Sequence, residues 1–345
     1  RLVGSEMCIR DSDETVRLSS TRLAITIIIK RRVNMARSGN KPEKRKAIKK
    51  NLYMNRYLYL MLLPVVLNFI IFHYIPMGGI LMAFENYNPF KGIFGSEWVG
   101  FDNFKKLFGS YYFWSLLSNT LRLSIKSILI GFPAPIIFAL LLNEMRAKSF
   151  KKTVQTISYL PNFISLVVVV SLVKQFLSVD TGIINRVIEA LEGERISFLS
   201  DPNWFDTIYI LSDLWQGVGF SAIIYISAIS GIDQGLYDAA AVDGAGRIRK
   251  IWYVTLPSIT PTISVMLILR LGSILNVGWQ KIMLLQNGLT KDVSDVIQLF
   301  VYERGLQNAD FGFATAVGLL QSLIGFILII VSNKISKKFS DTGIF

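Results

Sequence analysis

Long stretches without charged residues alternate with short charged segments along this chain. Four stretches contain no Asp, Glu, Lys or Arg: 57–84, 153–173, 214–232 and 311–333. Two more, 119–143 and 259–280, are also apolar but carry internal charges, such as Lys126 in the first and Arg270 in the second. A membrane-crossing helix needs about 20 mostly apolar residues. The pattern therefore predicts six spans, near 57–81, 119–143, 157–178, 208–232, 259–280 and 312–333.

The composition indicates the same class of protein. Hydrophobic residues make up 52% of the 345 residues, charged residues make up 18%, and the mean hydropathy is +0.45. Ordinary soluble domains contain about 25% charged residues. A soluble enzyme of this length is therefore excluded, and we expect an all-α polytopic membrane protein with about six transmembrane helices.

The chain has few residues that could ligate a metal or act as a nucleophile. Cys8 is the only cysteine and His73 the only histidine. An intrachain disulfide, a cysteine-based zinc site and a histidine-based catalytic triad are therefore excluded. We expect no catalytic residue and no metal site in this chain.

The distribution of Lys and Arg predicts how the spans are oriented. With the N-terminus inside, 18 basic residues fall in the inner segments, 35–56, 144–156, 233–258 and 334–345. Only 8 fall in the outer segments, 84–118, 179–207 and 281–311. Basic residues favour the cytoplasmic side of a membrane. Both termini are therefore expected to be cytoplasmic, and the basic segment 35–56 is expected to anchor the chain at the membrane rather than to bind nucleic acid.

The segment 233–258 differs from the other loops, and two short helices around a glycine break are expected in it. Asp233 can cap the first helix, and Ala239 to Ala241 are strong helix formers. Gly244 and Gly246 supply the break. Pro257 is expected to end the second helix before the next span. The small side chains allow close approach by another protein, so the residues alone indicate a docking loop.

The spacing in this segment resembles the EAA loop of permease subunits from binding-protein-dependent ABC importers. That motif has Glu-Ala-Ala, three residues, Gly, nine residues, an aliphatic residue, one residue, and Leu-Pro. Here Asp238 stands where the motif has Glu, which keeps the charge but shortens the side chain; Val254 is the aliphatic residue. The resemblance implies that this loop couples the permease to ATPase subunits through Asp238, Ala239, Ala240, Asp243, Gly244, Leu256 and Pro257.

The resemblance also implies a fold, a substrate class and partners. The segments 56–64, 84–92 and 311–319 resemble the carbohydrate-uptake branch, in particular the permeases of lipoprotein-linked polysaccharide or oligosaccharide importers. A type I ABC importer transmembrane fold in the bacterial cytoplasmic membrane is then expected. The expected partners are a second related permease, two ATP-binding cassette subunits and an extracytoplasmic solute-binding protein. The sequence contains no Gly-x-x-x-x-Gly-Lys-Ser/Thr motif, so ATP and Mg are expected on the partner ATPases and no cofactor on this chain.

The substrate path is less sharply indicated. Arg270 lies about 16 Å into its predicted span, and no acidic residue is predicted at that depth. A charge at this depth must face water or a partner, so Arg270 either binds carbonyl groups or a neighbouring subunit, or faces a cavity and contacts the sugar, in particular an acidic one. Other side chains able to stack on or hydrogen-bond a glycan are Trp215, Gln216, Asn276, Trp279 and Gln280.

The predicted organisation has four parts: a non-native or disordered leader, 1–34; a basic cytoplasmic segment, 35–56; a transmembrane permease domain, 57–333, that includes the cytoplasmic coupling loop 233–258; and a cytoplasmic tail, 334–345. Three other functions remain open: a polytopic membrane enzyme acting on lipid-linked glycans, an autonomous channel or scaffold, and an ABC permease for a non-sugar solute. An enzyme would need paired carboxylates or a metal site, and Asp238 and Asp243 do not share a helix face well.

Overall fold

The structure is a computed structural model that describes residues 53–339, with side chains described as far as residue 334. The leader 1–34, nearly all of the basic segment 35–56 and the second half of the tail, 340–345, lie outside the described residues. The expectations stated for those segments therefore stay predictions.

The chain divides into two compact units between Met77 and Gly78. In the first unit, helix α1, Arg56–Phe69, is followed by a π-helical turn, Ile70–Tyr74. Pro64 lies inside α1 without ending it. A 3₁₀ segment, Ile75–Phe84, continues the chain across the boundary.

The second unit is almost entirely helical within the described residues. Two-residue strands, β1 (Glu85–Asn86) and β2 (Glu97–Trp98), form an antiparallel hairpin. The helices are α2 (Asp102–Gly109), α3 (Tyr111–Gly131), α4 (Pro133–Glu144), α5 (Lys148–Tyr159), α6 (Leu166–Phe176), α7 (Ile183–Ala190), α8 (Pro202–Ser230), α9 (Gln234–Val242), α10 (Arg247–Lys250), α11 (Leu256–Gly272), α12 (Trp279–Leu285), α13 (Lys291–Ser294), α14 (Ile297–Tyr302) and α15 (Phe311–Phe339).

Within residues 53–339, five helical runs are long and apolar enough to cross a membrane, and a sixth is possible if one bent pair counts as a span. The five are Arg56–Phe84, Tyr111–Glu144, Pro202–Ser230, Arg247–Gly272 and Phe311–Lys334. Lipid cannot hydrogen-bond to peptide groups, so a chain of this hydropathy satisfies its backbone within helices. The expected all-α polytopic membrane fold is confirmed.

The third predicted span, 157–178, is not one straight helix. The helical run Lys148–Phe163 and helix α6 meet at an angle of 103°. Ile164 and Ser165 have extended backbone between them. A charge-free window measures apolar length and carries no information about a sharp bend, so the sequence placed a span here without indicating the bend.

The fifth predicted span begins earlier than expected. Arg247–Gly272 form one helical run, in which a π-helical turn, Ile251–Thr255, joins α10 to α11. The expectation that Pro257 ends the preceding helix is therefore wrong. Pro257 instead occupies the first turn of α11, directly after the wider π turn, where its missing N–H is tolerated.

The fifth span also ends earlier than expected. α11 stops at Gly272, and α12 begins at Trp279 after an irregular segment. Asn276, Trp279 and Gln280 therefore lie beyond the membrane helix rather than in its last turns. The prediction extended the span because no charged residue lies between Arg270 and Lys281.

A buried core cluster fixes α8 against its neighbours. Leu123 of α3, Tyr209 of α8, Ile282 of α12 and Leu299 of α14 all belong to it. These contacts hold α8 and the short helix α12 at fixed positions. They thereby determine where the polar side chains near Tyr209 point.

Close backbone approach of α5 and α8 depends on Gly219. A Cβ added at this position would lie 2.3 Å from the carbonyl oxygen of Ser158. A Cβ added at Gly217, two residues earlier on the same helix, would meet no atom within 4 Å. Only the first of these glycines is required by packing.

We therefore expect Gly219→Ala to destabilise the protein by about 1–3 kcal/mol, because the backbones must separate to admit the methyl group. Gly217→Ala is the matched control and should leave stability unchanged or raise it slightly, since alanine favours helices. Thermal unfolding of both variants in nanodiscs measures the difference. Equal melting temperatures for the two variants would contradict the assigned packing.

Candidate functional site

The first half of the coupling loop (residues 233–258) is a regular helix with a defined start. The Asp233 carboxylate accepts a hydrogen bond from the Gly235 amide at 2.9 Å and so caps α9, as expected from the sequence. Asp238 and Ala239 are exposed on this helix, and Ala240 is partly buried. The small and acidic residues of the motif thus lie together on one short helix, and two of the three are exposed.

Gly244 ends α9 in a conformation that favours glycine. Its φ is +74°, in the left-handed region. The Ala245 amide donates to the Ala240 carbonyl at 2.9 Å, and the Gly244 amide donates to the Ala241 carbonyl at 3.1 Å, which closes the helix end. Asp243 is the C-terminal capping residue of α9. The motif glycine therefore makes the turn between the two helices of the coupling loop.

A side-chain hydrogen bond joins the two halves of the coupling loop. The Tyr237 hydroxyl of α9 lies 2.9 Å from the Thr255 hydroxyl in the π turn. Thr255 is only 1% exposed. Leu256 and Pro257 follow directly and begin α11. The motif residues at the two ends of the coupling loop are therefore connected through Tyr237 and Thr255, and not only through the chain.

The exposed surface of the coupling loop is apolar and basic. Val242, Ile248, Trp252 and Tyr253 each expose well over half of their surface. Basic residues, Arg247, Arg249 and Lys250, lie among them in α10. Large exposed apolar side chains clustered beside charges are typical of a surface that contacts another protein.

Two adjoining polar cavities lie between the membrane helices. One has a volume of about 340 Å³ and the other about 270 Å³. Asp213, Arg270 and Ser273 line both, and we call the pair the Arg270 cavity. The smaller cavity is lined by further polar residues, Ser124, Ser127, Tyr209 and Asn276. Hydroxyl, amide and charged groups in a cavity are suited to a hydrated, hydroxyl-rich ligand.

Arg270 faces the cavity and has a carboxylate on the same wall. Its guanidinium donates to the Ser127 hydroxyl at 3.3 Å. Asp213 of α8 lines the cavity beside it, so the expectation that no acidic residue lies at this depth is wrong. Yet among the described residues no carboxylate oxygen comes within 4.0 Å of the Arg270 guanidinium.

The carboxylate of Asp213 is paired with a buried lysine instead. The Lys281 ammonium lies 3.5 Å from Asp213 Oδ1, donates to the Tyr209 carbonyl at 3.3 Å, and sits 5.1 Å from the centre of the Tyr209 ring. Lys281 is 3% exposed. Burial lowers the pKa of its ammonium, and the Asp213 carboxylate opposes that fall.

The other side chains predicted for the substrate path are dispersed. Asn276 lines the Arg270 cavity, and its carbonyl oxygen accepts from the amides of Gln298 and Gln321 at 2.9 and 2.8 Å. The Gln216 amide donates to the Ile164 carbonyl at the bend of the third span, 3.3 Å away. The remaining three lie elsewhere: Trp215 lines a separate apolar cavity of about 610 Å³, Trp279 stacks on Tyr302, and Gln280 is exposed.

Several cavity residues were not anticipated from the sequence. Asp213 could have been found from the sequence, because an ionisable residue inside an apolar span indicates a functional position by default. Ser124 and Ser127 carried little signal, since hydroxyls are common in membrane helices. Lys281 carried none, because it is the first residue of the outer segment 281–311, just beyond the predicted span. Its burial depends on the core around Tyr209 and Ile282.

Known proteins are similar in sequence to this chain over most of its length. The family described as "Binding-protein-dependent transport system inner membrane component" matches residues 131–341. "Protein LplB" of Bacillus subtilis (strain 168) is 46% identical over 291 residues, which are 84% of this chain and 92% of the relative. The "Polygalacturonan/rhamnogalacturonan transport system permease protein YteP" of the same organism is 46% identical over 305 residues, 88% of this chain and 95% of the relative.

Solved structures agree. A chain of a bacterial ABC transporter involved in the import of the acidic polysaccharide alginate is 43% identical, with a TM-score of 0.79 over 85% of this chain and 99% of that chain. A second structure, of the alginate ABC transporter in complex with an alginate pentasaccharide-bound periplasmic protein, gives a TM-score of 0.80 at 43% identity over 86% and 99%. This chain therefore belongs to the binding-protein-dependent transport system inner membrane components, and it is a membrane-embedded permease subunit of an ABC importer and not an enzyme.

Proposed function

We propose that this permease carries a carbohydrate, in particular an oligosaccharide, that an extracytoplasmic binding protein delivers. ATP hydrolysis, with ATP and Mg bound to two separate ATP-binding cassette subunits, drives the movement. A second related permease completes the membrane pathway. When the ATPases close, they pull on the coupling loop and switch the helices between inward-open and outward-open arrangements.

The main support for a sugar substrate is the close relationship to permeases named for polysaccharide transport. YteP is named for polygalacturonan and rhamnogalacturonan, and the alginate importer for an acidic polysaccharide. The Arg270 cavity supports the same substrate class, because its serines, Asn276 and charged groups can hydrogen-bond to sugar hydroxyls.

The form of the coupling loop supports the link to the ATPases. It presents an exposed helix with small side chains, a glycine turn, and an apolar and basic outer surface. Asp238, Ala239 and Ala240 are proposed to contact the partner, Asp243 and Gly244 to form the turn, and Leu256 and Pro257 to pass the movement into α11. The excess of basic residues in the inner segments supports cytoplasmic termini and a cytoplasmic coupling loop in a bacterial plasma membrane.

We expect the binding protein that stimulates this transporter to hold an oligosaccharide. Native mass spectrometry of that protein, purified from the cells that encode it beside this permease, identifies the ligand. A strain without this permease should then lose uptake of the same ligand and regain it on complementation. A bound peptide, amino acid or other non-sugar solute would favour the alternative substrate class and contradict the carbohydrate proposal.

Gly244→Trp should uncouple transport, because a bulky residue strains the left-handed turn and projects into the space that the ATPase must occupy. The variant should reach the membrane, with uptake and binding-protein-stimulated ATP hydrolysis both reduced to background. Gly246→Ala is the control, since Gly246 has negative φ and open space around it. Wild-type uptake and ATPase stimulation in Gly244→Trp would contradict the docking role.

Removing the hydrogen bond between the halves of the coupling loop should lower the uptake achieved per ATP hydrolysed. A net hydrogen bond contributes about 0.5–1.5 kcal/mol, so Tyr237→Phe and Thr255→Val should lower that ratio by about 2- to 10-fold. Thr255→Ser keeps the hydroxyl and should retain most of the ratio. Parallel uptake and ATPase assays in proteoliposomes measure it, and an unchanged ratio in Thr255→Val would show that the bond does not contribute to coupling.

A further inference from the structure

The Arg270 cavity contains a cation and a carboxylate that are not paired with each other. Arg270 donates a hydrogen bond to the Ser127 hydroxyl, while Asp213 lies within ion-pair distance of Lys281. Opposite charges inside a protein attract more strongly than in bulk water, and an arginine beside a free carboxylate frequently forms a two-pronged pair with it. Another contact must therefore keep the Asp213 carboxylate from pairing with Arg270.

That contact is made by the Lys281 ammonium. α12 carries Lys281 behind the cavity wall, where the Tyr209 carbonyl, the Tyr209 ring and Asp213 surround its charge. A buried ammonium without an anionic partner is strongly unfavourable. Pairing with Asp213 therefore stabilises the buried Lys281 ammonium more than it would stabilise the exposed Arg270 guanidinium, which remains in contact with the cavity.

We propose that Lys281 holds the Asp213 carboxylate away from Arg270, so that the Arg270 guanidinium is free to bind the carboxylate of an acidic sugar residue. This inference rests on the proposed carbohydrate substrate. Arginine binds a carboxylate through two parallel N–H donors, which a uronate offers and a neutral sugar does not. The hydroxyls of Ser127 and Ser273 and the amide of Asn276 line the same space for the sugar hydroxyls.

The charges give each variant a distinct expectation. Arg270, Asp213 and Lys281 together carry one net positive charge. Lys281→Met leaves none and frees Asp213 to pair with Arg270. Asp213→Asn adds one positive charge. The double variant Lys281→Met/Asp213→Asn has the same net charge as the wild type and has no carboxylate left to occupy Arg270.

A cysteine in the cavity measures these charges directly. Cys8 is the only native cysteine, so Cys8→Ser with Ser273→Cys provides one thiol in the Arg270 cavity. The full chain, assembled with its partner subunits in nanodiscs, is treated with an anionic (sulfonatoethyl) or a cationic (trimethylammonium-ethyl) methanethiosulfonate. Mass spectrometry of this chain gives the two reaction rates. The rate with the anionic reagent divided by the rate with the cationic reagent, each relative to a free thiol, reports the local electrostatic potential.

We expect the anionic reagent to be favoured in the wild-type background. Lys281→Met should lower the ratio by about fivefold or more, Asp213→Asn should raise it, and the double variant should restore it. Lys281→Arg, which keeps the charge, should stay near the wild-type value. A ratio that Lys281→Met leaves unchanged would overturn the proposal, and so would a thiol that neither reagent reaches, because a sugar site must admit water.

A second measurement tests the ligand class with matched sugars. Tetragalacturonate and its methyl ester differ only in the carboxylate charge. Uptake should favour tetragalacturonate in the wild type, lose that preference in Lys281→Met and regain it in the double variant. Equal loss of both sugars in Lys281→Met, without rescue, would mean that Lys281 is only structural. If neither sugar is transported by the wild type while the charge pattern holds, oligogalacturonate is not the substrate and the anion site stands; the ligand of the binding protein then decides whether the substrate is a sugar at all.

Discussion

Hydrocarbon can neither hydrogen-bond to a peptide group nor solvate a charge, and this constraint determines most of what is seen between the membrane helices. The bend in the third span exposes the Ile164 carbonyl, and the Gln216 amide of α8 binds it. Asp206 near the start of α8 accepts from Lys126 at 2.8 Å and lies 3.2 Å from the Arg122 guanidinium. Irregular backbone and ionised side chains therefore occur where neighbouring helices supply partners, among them α3 and α8.

The Arg270 cavity differs from the Asp206 site in where the carboxylate lies. Asp206 lies directly against both of its cations, Lys126 and Arg122. In the Arg270 cavity the carboxylate is drawn to one side by Lys281, and the guanidinium keeps only a neutral hydroxyl. A neutral partner compensates a charge less than an ion does. Positive potential is thereby retained in a space that also offers hydroxyl and amide groups, which are the groups that a charged glycan requires.

The features that could be predicted from the sequence are those that depend on neighbouring residues. Asp233 as a helix cap, Gly244 as a turn and the spacing to Pro257 are all local, and apolar length alone located five of the spans. The features that could not be predicted join distant segments. Asp213 and Lys281 are 68 residues apart, and Lys126 and Asp206 are 80 apart. The continuous helix through Pro257 also escaped prediction, because it depends on a π turn that Thr255 and Tyr237 stabilise.

That continuous helix connects the two candidate sites. Thr255, in the coupling loop, and Arg270, in the cavity, lie on the same helical run, separated by about 22 Å at 1.5 Å per residue. Asp213 belongs to α8, which is fixed to α12 by the core and by Lys281. The coupling loop is thus joined directly to both charged side chains, to Asp213 through α8, which ends at Ser230, and to Arg270 through the run Arg247–Gly272. A displacement that moved the two ends of the loop by different amounts would change the distance between the guanidinium and the carboxylate, and with it the strength with which the proposed anionic ligand is held.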